Sequence, residues 1–136
     1  MSVVKSEQGE SRVQFLETAR NLYKAVMALC VKLPKRYTFY IGRSVYEAAR
    51  DGYRHVKAAN AIYPTNQHEA QMRRDHLTEA NASFDFLLSE LDIVRSMGGV
   101  DTAPVICIVD MIVSEQRLIS KLKSSDAARY KSLPGA

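Results

Sequence analysis

Arg36, Arg43, Arg50 and Lys57 recur at intervals of seven, and Arg54 lies one turn beyond Arg50. Seven residues make nearly two helical turns, so on a helix these cations form one slowly drifting stripe. Lys32 and Lys35 precede the stripe, and only Glu47 and Asp51 oppose it between Lys32 and Lys57. A second basic group, Arg117, Lys121, Lys123, Arg129 and Lys131, stands against Asp126 alone. Cations in such a pattern neutralise phosphates and recognise backbone and shape rather than base sequence. Tyr37, Tyr40, Tyr46 and Tyr53 interleave with the stripe, where rings can stack or hydrogen-bond. The plainer alternative is a solvated helix face with local pairs such as Glu47–Arg50.

No other constellation points to chemistry. His55, His68 and His76 are the histidines, no HExxH occurs, and the gap from His68 to His76 spans no single helical turn. A metal site is therefore not expected. A di-iron bundle needs ExxH motifs and inward-facing glutamates. His68-Glu69 and Asp75-His76 are adjacent pairs instead, and the apolar stripes are read as holding no Glu. Neither a Gly-rich phosphate loop nor a GxSxG elbow is present. Cys30 and Cys107 each lie in an apolar run. They read as buried free thiols in a reducing compartment, not as nucleophiles. No catalytic residue and no cofactor are expected.

The chain has 136 residues, 46% hydrophobic and 25% charged. These values fit one ordinary globular domain with a core of its own. The net charge of +4 and a pI of about 9.1 are only mildly basic. No apolar run is long enough to span a membrane, so a cytoplasmic protein is the expectation.

The elements that must carry the stripe follow from apolar periodicity. Residues 1–10 are polar and read as a flexible terminus, with Ser11 as the cap of a first helix over about 12–31. Phe15, Ala19, Leu22, Val26, Leu29 and Leu33 form its core stripe, and Leu16, Tyr23, Met27 and Cys30 a second one. Pro34 ends it. The second helix starts near Tyr37 to Tyr40 and ends at Tyr63-Pro64. Ile41, Val45, Ala48, Gly52, Val56, Ala59 and Tyr63 form its apolar face. Thr65 or Asn66 caps a third helix over 67–97. Ala70, Leu77, Phe84 and Leu91 alternate there with Ala80, Leu87 and Val94. Its outer face is net acidic, with Arg73, Arg74 and Arg95 as counter-charges. Gly98-Gly99 stops it.

Asp101 or Thr102 caps a fourth helix, with Pro104 in its first turn. Residues 105–113 are dense in β-branched side chains, yet the cap and the lack of a partner strand favour helix over strand. Val105, Val109, Ile112, Gln116 and Ile119 give one stripe. Ile106, Met111, Val113 and Leu118 are left over, which implies deep burial or a subunit interface. The helix is expected to close near residue 125, before a short frayed tail over 126–136.

Four such helices with short joins predict an all-α fold, an antiparallel up-down-up-down four-helix bundle over 11–125. In that arrangement Lys35 and Arg36 share one end with the start of the last helix. Lys57 shares the other end with Lys121 and Lys123. The expected site is then one basic side of Lys35, Arg36, Arg43, Arg50, Arg54, Lys57, Lys121 and Lys123.

Several segments between Phe15 and Lys131 resemble a family of small bacterial four-helix bundles. These are the Leu33-Pro34-Lys35 junction, the helix from Tyr40-Ile41-Gly42 to Ala58-Ala59-Asn60-Ala61, the run His76-Leu77-Thr78-Glu79-Ala80 through Phe86-Leu87-Leu88, and the closing segment Lys123 to Lys131. That family includes the 23S ribosomal RNA intervening-sequence protein and the accessory protein of diversity-generating retroelements. The resemblance implies a ring-like homopentamer. In the retroelement branch it implies a reverse transcriptase partner and nucleic-acid binding through a basic surface. The family's basic positions fall on Lys35, Arg36, Arg43, Arg50 and Arg54. The leading expectation is thus a non-enzymatic, homo-oligomeric accessory protein that binds RNA or DNA and docks a reverse transcriptase. The alternatives are an adaptor for an acidic protein partner and an intervening-sequence-type protein of another role.

Overall fold

A computed structural model describes residues 3–135. Four long helices carry the fold, and no strand occurs among the described residues. They are α1 (Val3–Lys32), α3 (Arg43–Ala61), α4 (Gln67–Ser96) and α5 (Thr102–Arg129). A single turn, α2 (Lys35–Tyr37), and a π-helical turn over Thr38–Gly42 lead into α3. No helix among the described residues is long and apolar enough to cross a membrane.

The boundaries follow local chemistry. Pro34 stops α1 two residues earlier, as a proline disfavours helix in the residue before it. Asn66 caps α4 by accepting from the Glu69 N–H at 2.9 Å. Glu69 answers by accepting from the N–H and hydroxyl of Thr65, at 2.7 and 2.6 Å. These bonds hold the Glu69 carboxyl below its ordinary pKa. Asp101 caps α5 through the Ala103 N–H. At the end of α4, Gly99 has φ +82, the left-handed conformation glycine adopts without strain. Residues 105–113 are helical, as the cap implied.

Three bounds differ from the sequence reading. α1 begins at Val3, so residues 3–10 belong to the helix and Ser11 lies inside it. Once a helix is nucleated, each further residue adds a hydrogen bond, and Gly9 alone does not stop it. Met1 and Ser2 of the expected flexible terminus, and Ala136 of the tail, lie outside the described residues. α3 ends at Ala61 rather than at Tyr63-Pro64, which leaves Tyr63 exposed. α5 runs on to Arg129, through the segment read as a tail.

α1 and α4 each pack against α3 and α5. The four helices therefore form a ring in the order α1, α3, α4, α5, with α3 diagonal to α5. Every residue of the first α1 stripe is buried, as are the Leu77, Ala80, Phe84, Leu87, Leu91 and Val94 positions of α4. The closest join is between α3 and α4. A Cβ placed on Gly52 would lie 2.7 Å from Cζ and 2.8 Å from Cδ1 of Phe84. The Phe84 ring is fully buried and has nowhere to withdraw.

At one end of the bundle a buried fork holds three helices together. Arg73 Nε donates to Asp126 at 2.6 Å, and Nη1 donates to the carbonyls of Ala59 and Ile62 at 2.9 and 3.2 Å. Arg73, expected among the outer counter-charges of the third helix, is buried. Nearby, Gln67 Nε2 donates to the carbonyls of Tyr130 and Leu133, and the Gln67 N–H donates to Pro134. The segment expected to fray is thus fastened to the start of α4.

Gly52→Ala tests the close join. A helical Gly→Ala exchange alone gains up to ~1 kcal/mol, but forcing a methyl into a packed ring costs about 1–3 kcal/mol. The expected net is destabilisation, read as a lower urea midpoint with an unchanged slope.

Candidate nucleic-acid interface

α3 projects its cations because its other face is fully used. Val45, Ala48, Ala49, Gly52, Val56 and Ala59 are buried, so a helix of this period must turn Arg43, Arg50, Arg54 and Lys57 outward. All four are exposed, as are Lys35 and Arg36 at the entry to the helix. Arg43 pairs with Glu47 at 3.0 Å, and Arg54 stands 3.9 Å from Asp51. Among the described residues no carboxylate pairs with Lys35, Arg36, Arg50 or Lys57. The local pair Glu47–Arg50 read from the sequence does not form, because Glu47 turns to Arg43.

The tyrosines divide into two groups. Tyr46 and Tyr53 lean towards α1 and meet Tyr23. The Tyr23 hydroxyl donates to that of Tyr46 at 3.0 Å, and the Tyr23 ring stacks on Tyr53 at 5.3 Å. The bond to Tyr46 pushes the Tyr23 phenol above its ordinary pKa. This ladder braces the α1–α3 join on the side from which Arg50 emerges. Tyr37 is spent on the fold too, since its hydroxyl donates to the Gly98 carbonyl at 3.0 Å. The Arg36 guanidinium stacks over its ring at 4.8 Å.

Tyr40 is different. It is 81% exposed, beside Phe39 at 83%, and the two rings meet edge to face at 5.2 Å. Sequence reading passed over Phe39. Two adjacent aromatics between Arg36 and Arg43, ahead of the first buried residue of the helix, were the available signal.

Lys121 and Lys123 do not extend the α3 stripe. They lie on α5, the diagonal of the ring, and α3 and α5 share no packed face. Lys123 is half-buried and donates to Thr78 Oγ1 at 3.0 Å, across the α4–α5 join. It lines a shallow cleft of about 120 Å³ with Arg74, Tyr130 and Lys131. The single basic side expected from the sequence is therefore two separate regions. Each end of a four-helix bundle contains four corners, and chain order does not say which are adjacent.

The interior corrects two further readings. Glu115 is fully buried on α5, and neither carboxyl oxygen has a hydrogen-bond partner among the described residues. The stripe of α5 runs Val105, Ile108, Ile112, Glu115, Ile119 and Asp126. Gln116, read as part of the stripe, is half-buried and donates to Asp85 on α4. Burial pushes the Glu115 carboxyl up to about 8. Cys107, read as buried, is exposed. The apolar run around it wraps the whole helix, and within 105–113 the fully buried residues are Val105, Ile108 and Ile112. Ile106 and Val113 are exposed for the same reason. Cys30 is half-buried, its Sγ lies 3.5 Å from the Gly42 carbonyl, and burial raises its thiol pKa.

His55 and His76, never neighbours in the sequence patterns, meet across α3 and α4 with their Nδ1 atoms 3.0 Å apart. Burial, then the facing His76, lower the His55 pKa. One ring donates and the other accepts, an arrangement that two imidazolium ions cannot make. Among the described residues no group of three or more His, Cys, Asp or Glu is placed to hold a metal ion.

Compared with family models, curated proteins and solved structures, the chain finds no match.

The buried Glu115 carboxyl gives a pH prediction. The unfolded chain ionises near 4.5 and the folded one only near 8, so folding keeps a proton that the unfolded chain releases. The contribution is most favourable below the lower value and is lost as pH rises towards the upper one. Glu115→Leu is expected to flatten the fall in thermal midpoint across that window. At neutral pH it should stabilise by about 1–3 kcal/mol, the usual cost of a buried unsatisfied polar group.

Proposed function

We propose that this chain is a non-enzymatic nucleic-acid-binding accessory protein, built as an antiparallel up-down-up-down bundle and working in the cytoplasm as a homo-oligomer. The α3 surface carries the reading. Lys35, Arg36, Arg43, Arg50, Arg54 and Lys57 are exposed along one helix and its entry turns, with only Glu47 and Asp51 as local counter-charges. Such a row follows a phosphate backbone and gains affinity by counterion release. Lys121 and Lys123 belong to a second basic region with Arg74 and Lys131, which can hold another segment of the same strand.

The end contacts support the antiparallel path. Tyr37 reaches Gly98 at one end, while Arg73 joins Ala59, Ile62 and Asp126 at the other. Exposed Ile106 and Val113 on α5 support self-association. A homo-oligomer repeats the basic row, and repeated weak contacts give avidity. The resemblance to the retroelement accessory branch adds a pentameric ring and a reverse transcriptase as partner.

The test is Arg50→Glu with Arg54→Glu. Both side chains are exposed, so helix content and thermal midpoint should stay nearly unchanged. Binding to labelled structured RNA or duplex DNA, followed by anisotropy at two salt concentrations, should be lost. Residual binding should show a salt slope lower by about 2, one for each phosphate contact removed. Binding that survives unchanged refutes the stripe, and protein binding that bulk RNA fails to compete selects an acidic protein partner.

A further inference from the structure

The Phe39–Tyr40 pair is held out in solvent by the backbone around it. The Arg43 N–H reaches back five residues to the Thr38 carbonyl, which defines the π-helical turn. Such turns are rare and occur mostly as single insertions, frequently at functional sites. On one side of the pair, Tyr37 is tied to Gly98 and stacked under Arg36. On the other, Ile41 and Gly42 are buried, and Leu33 in the preceding join is buried as well. The backbone is therefore anchored before and after the two rings, while the rings themselves touch only each other among aromatic side chains.

Large aromatic side chains this exposed call for a partner. The chemistry around them selects its class. From Leu33 to Tyr46 the chain holds Lys35, Arg36 and Arg43. The next residue, Glu47, pairs with Arg43 at 3.0 Å, and Lys35 and Arg36 have no carboxylate partner among the described residues. A hydrophobic protein surface would desolvate these cations, and a second copy of the same patch would repel them. Phosphate with an unpaired base satisfies both halves: the cations take the backbone and a ring face takes the base. A closed duplex offers phosphate but hides its base faces.

We infer that the π-turn is a stacking platform for unpaired bases, so the α3 face prefers single-stranded segments of RNA or DNA over a closed duplex. This rests on the nucleic-acid reading of α3 and narrows it to unpaired strands. The strand runs along the cations of α3, and one or two bases leave its stack to cover Phe39 and Tyr40.

The full-length protein is titrated into a short labelled single strand, with RNA and DNA as separate arms. The same strand carrying abasic positions and the blunt duplex serve as controls. Phe39→Ala with Tyr40→Ala is compared with the wild type, and light scattering follows both. Because base–aromatic stacking is worth ~10-fold or more in affinity per base, the double variant should lose about that factor on the intact strand. Its affinity for the abasic strand and the duplex should be unchanged. Equal loss on all probes, or no loss on any, overturns the platform while leaving the basic stripe standing. A fall in oligomer mass in the double variant also overturns it and makes the pair an interface between copies. Absence of wild-type binding to every probe removes both the platform and the nucleic-acid reading.

Discussion

The fork made by Arg73 is the constraint on which the bundle depends. A guanidinium carries its charge at any accessible pH, so burying it demands compensation in place. Asp126 supplies the charge, and the carbonyls of Ala59 and Ile62 accept the remaining hydrogen bonds. The Ala59 carbonyl also accepts from the Ile62 N–H at 3.2 Å, and Ile62 is the residue that closes α3, so the guanidinium grips the chain where the helix stops. One side chain therefore completes the end of α3, fixes the start of α4 and extends α5 beyond the length its apolar pattern implied. The tail contacts of Gln67 then follow, because they need α5 to arrive at that place.

Four helices and their joins were legible because their signals are local. Pro34, Asn66, Gly99 and Asp101 act within a turn or two, and the third helix was read to within one residue of its end. The apolar stripes were also legible where polar residues mark their edges. On α5 that edge vanishes, since apolar residues occur all round the helix. Glu115 and Gln116 then differ by only 100° of rotation, and the sequence favours neither. Arg73 was misplaced for a related reason: a cation reads as surface until the acceptors that bury it are known.

Neither the diagonal of the ring nor the π-turn was legible. Chain order places α3 and α5 on the same list of basic helices, but packing places α4 and α1 between them. The division of the cations into two regions is a property of that packing. The π-turn depends on which carbonyl the Arg43 N–H selects, and the residue types along 38–43 do not announce that choice. The aromatic pair that it presents was visible as letters and invisible as a surface.

The two thiols illustrate how differently one residue type fares in this bundle. Cys30 is tucked beside the Gly42 carbonyl with a raised pKa, so little of it is thiolate at neutral pH and it reacts slowly. Cys107 is exposed on α5, the corner diagonal to the α3 row. A maleimide dye will therefore find one position first, without mutagenesis. That position lies away from the basic helix yet beside exposed Ile106, so a dye there reports whatever contacts that face of α5 makes.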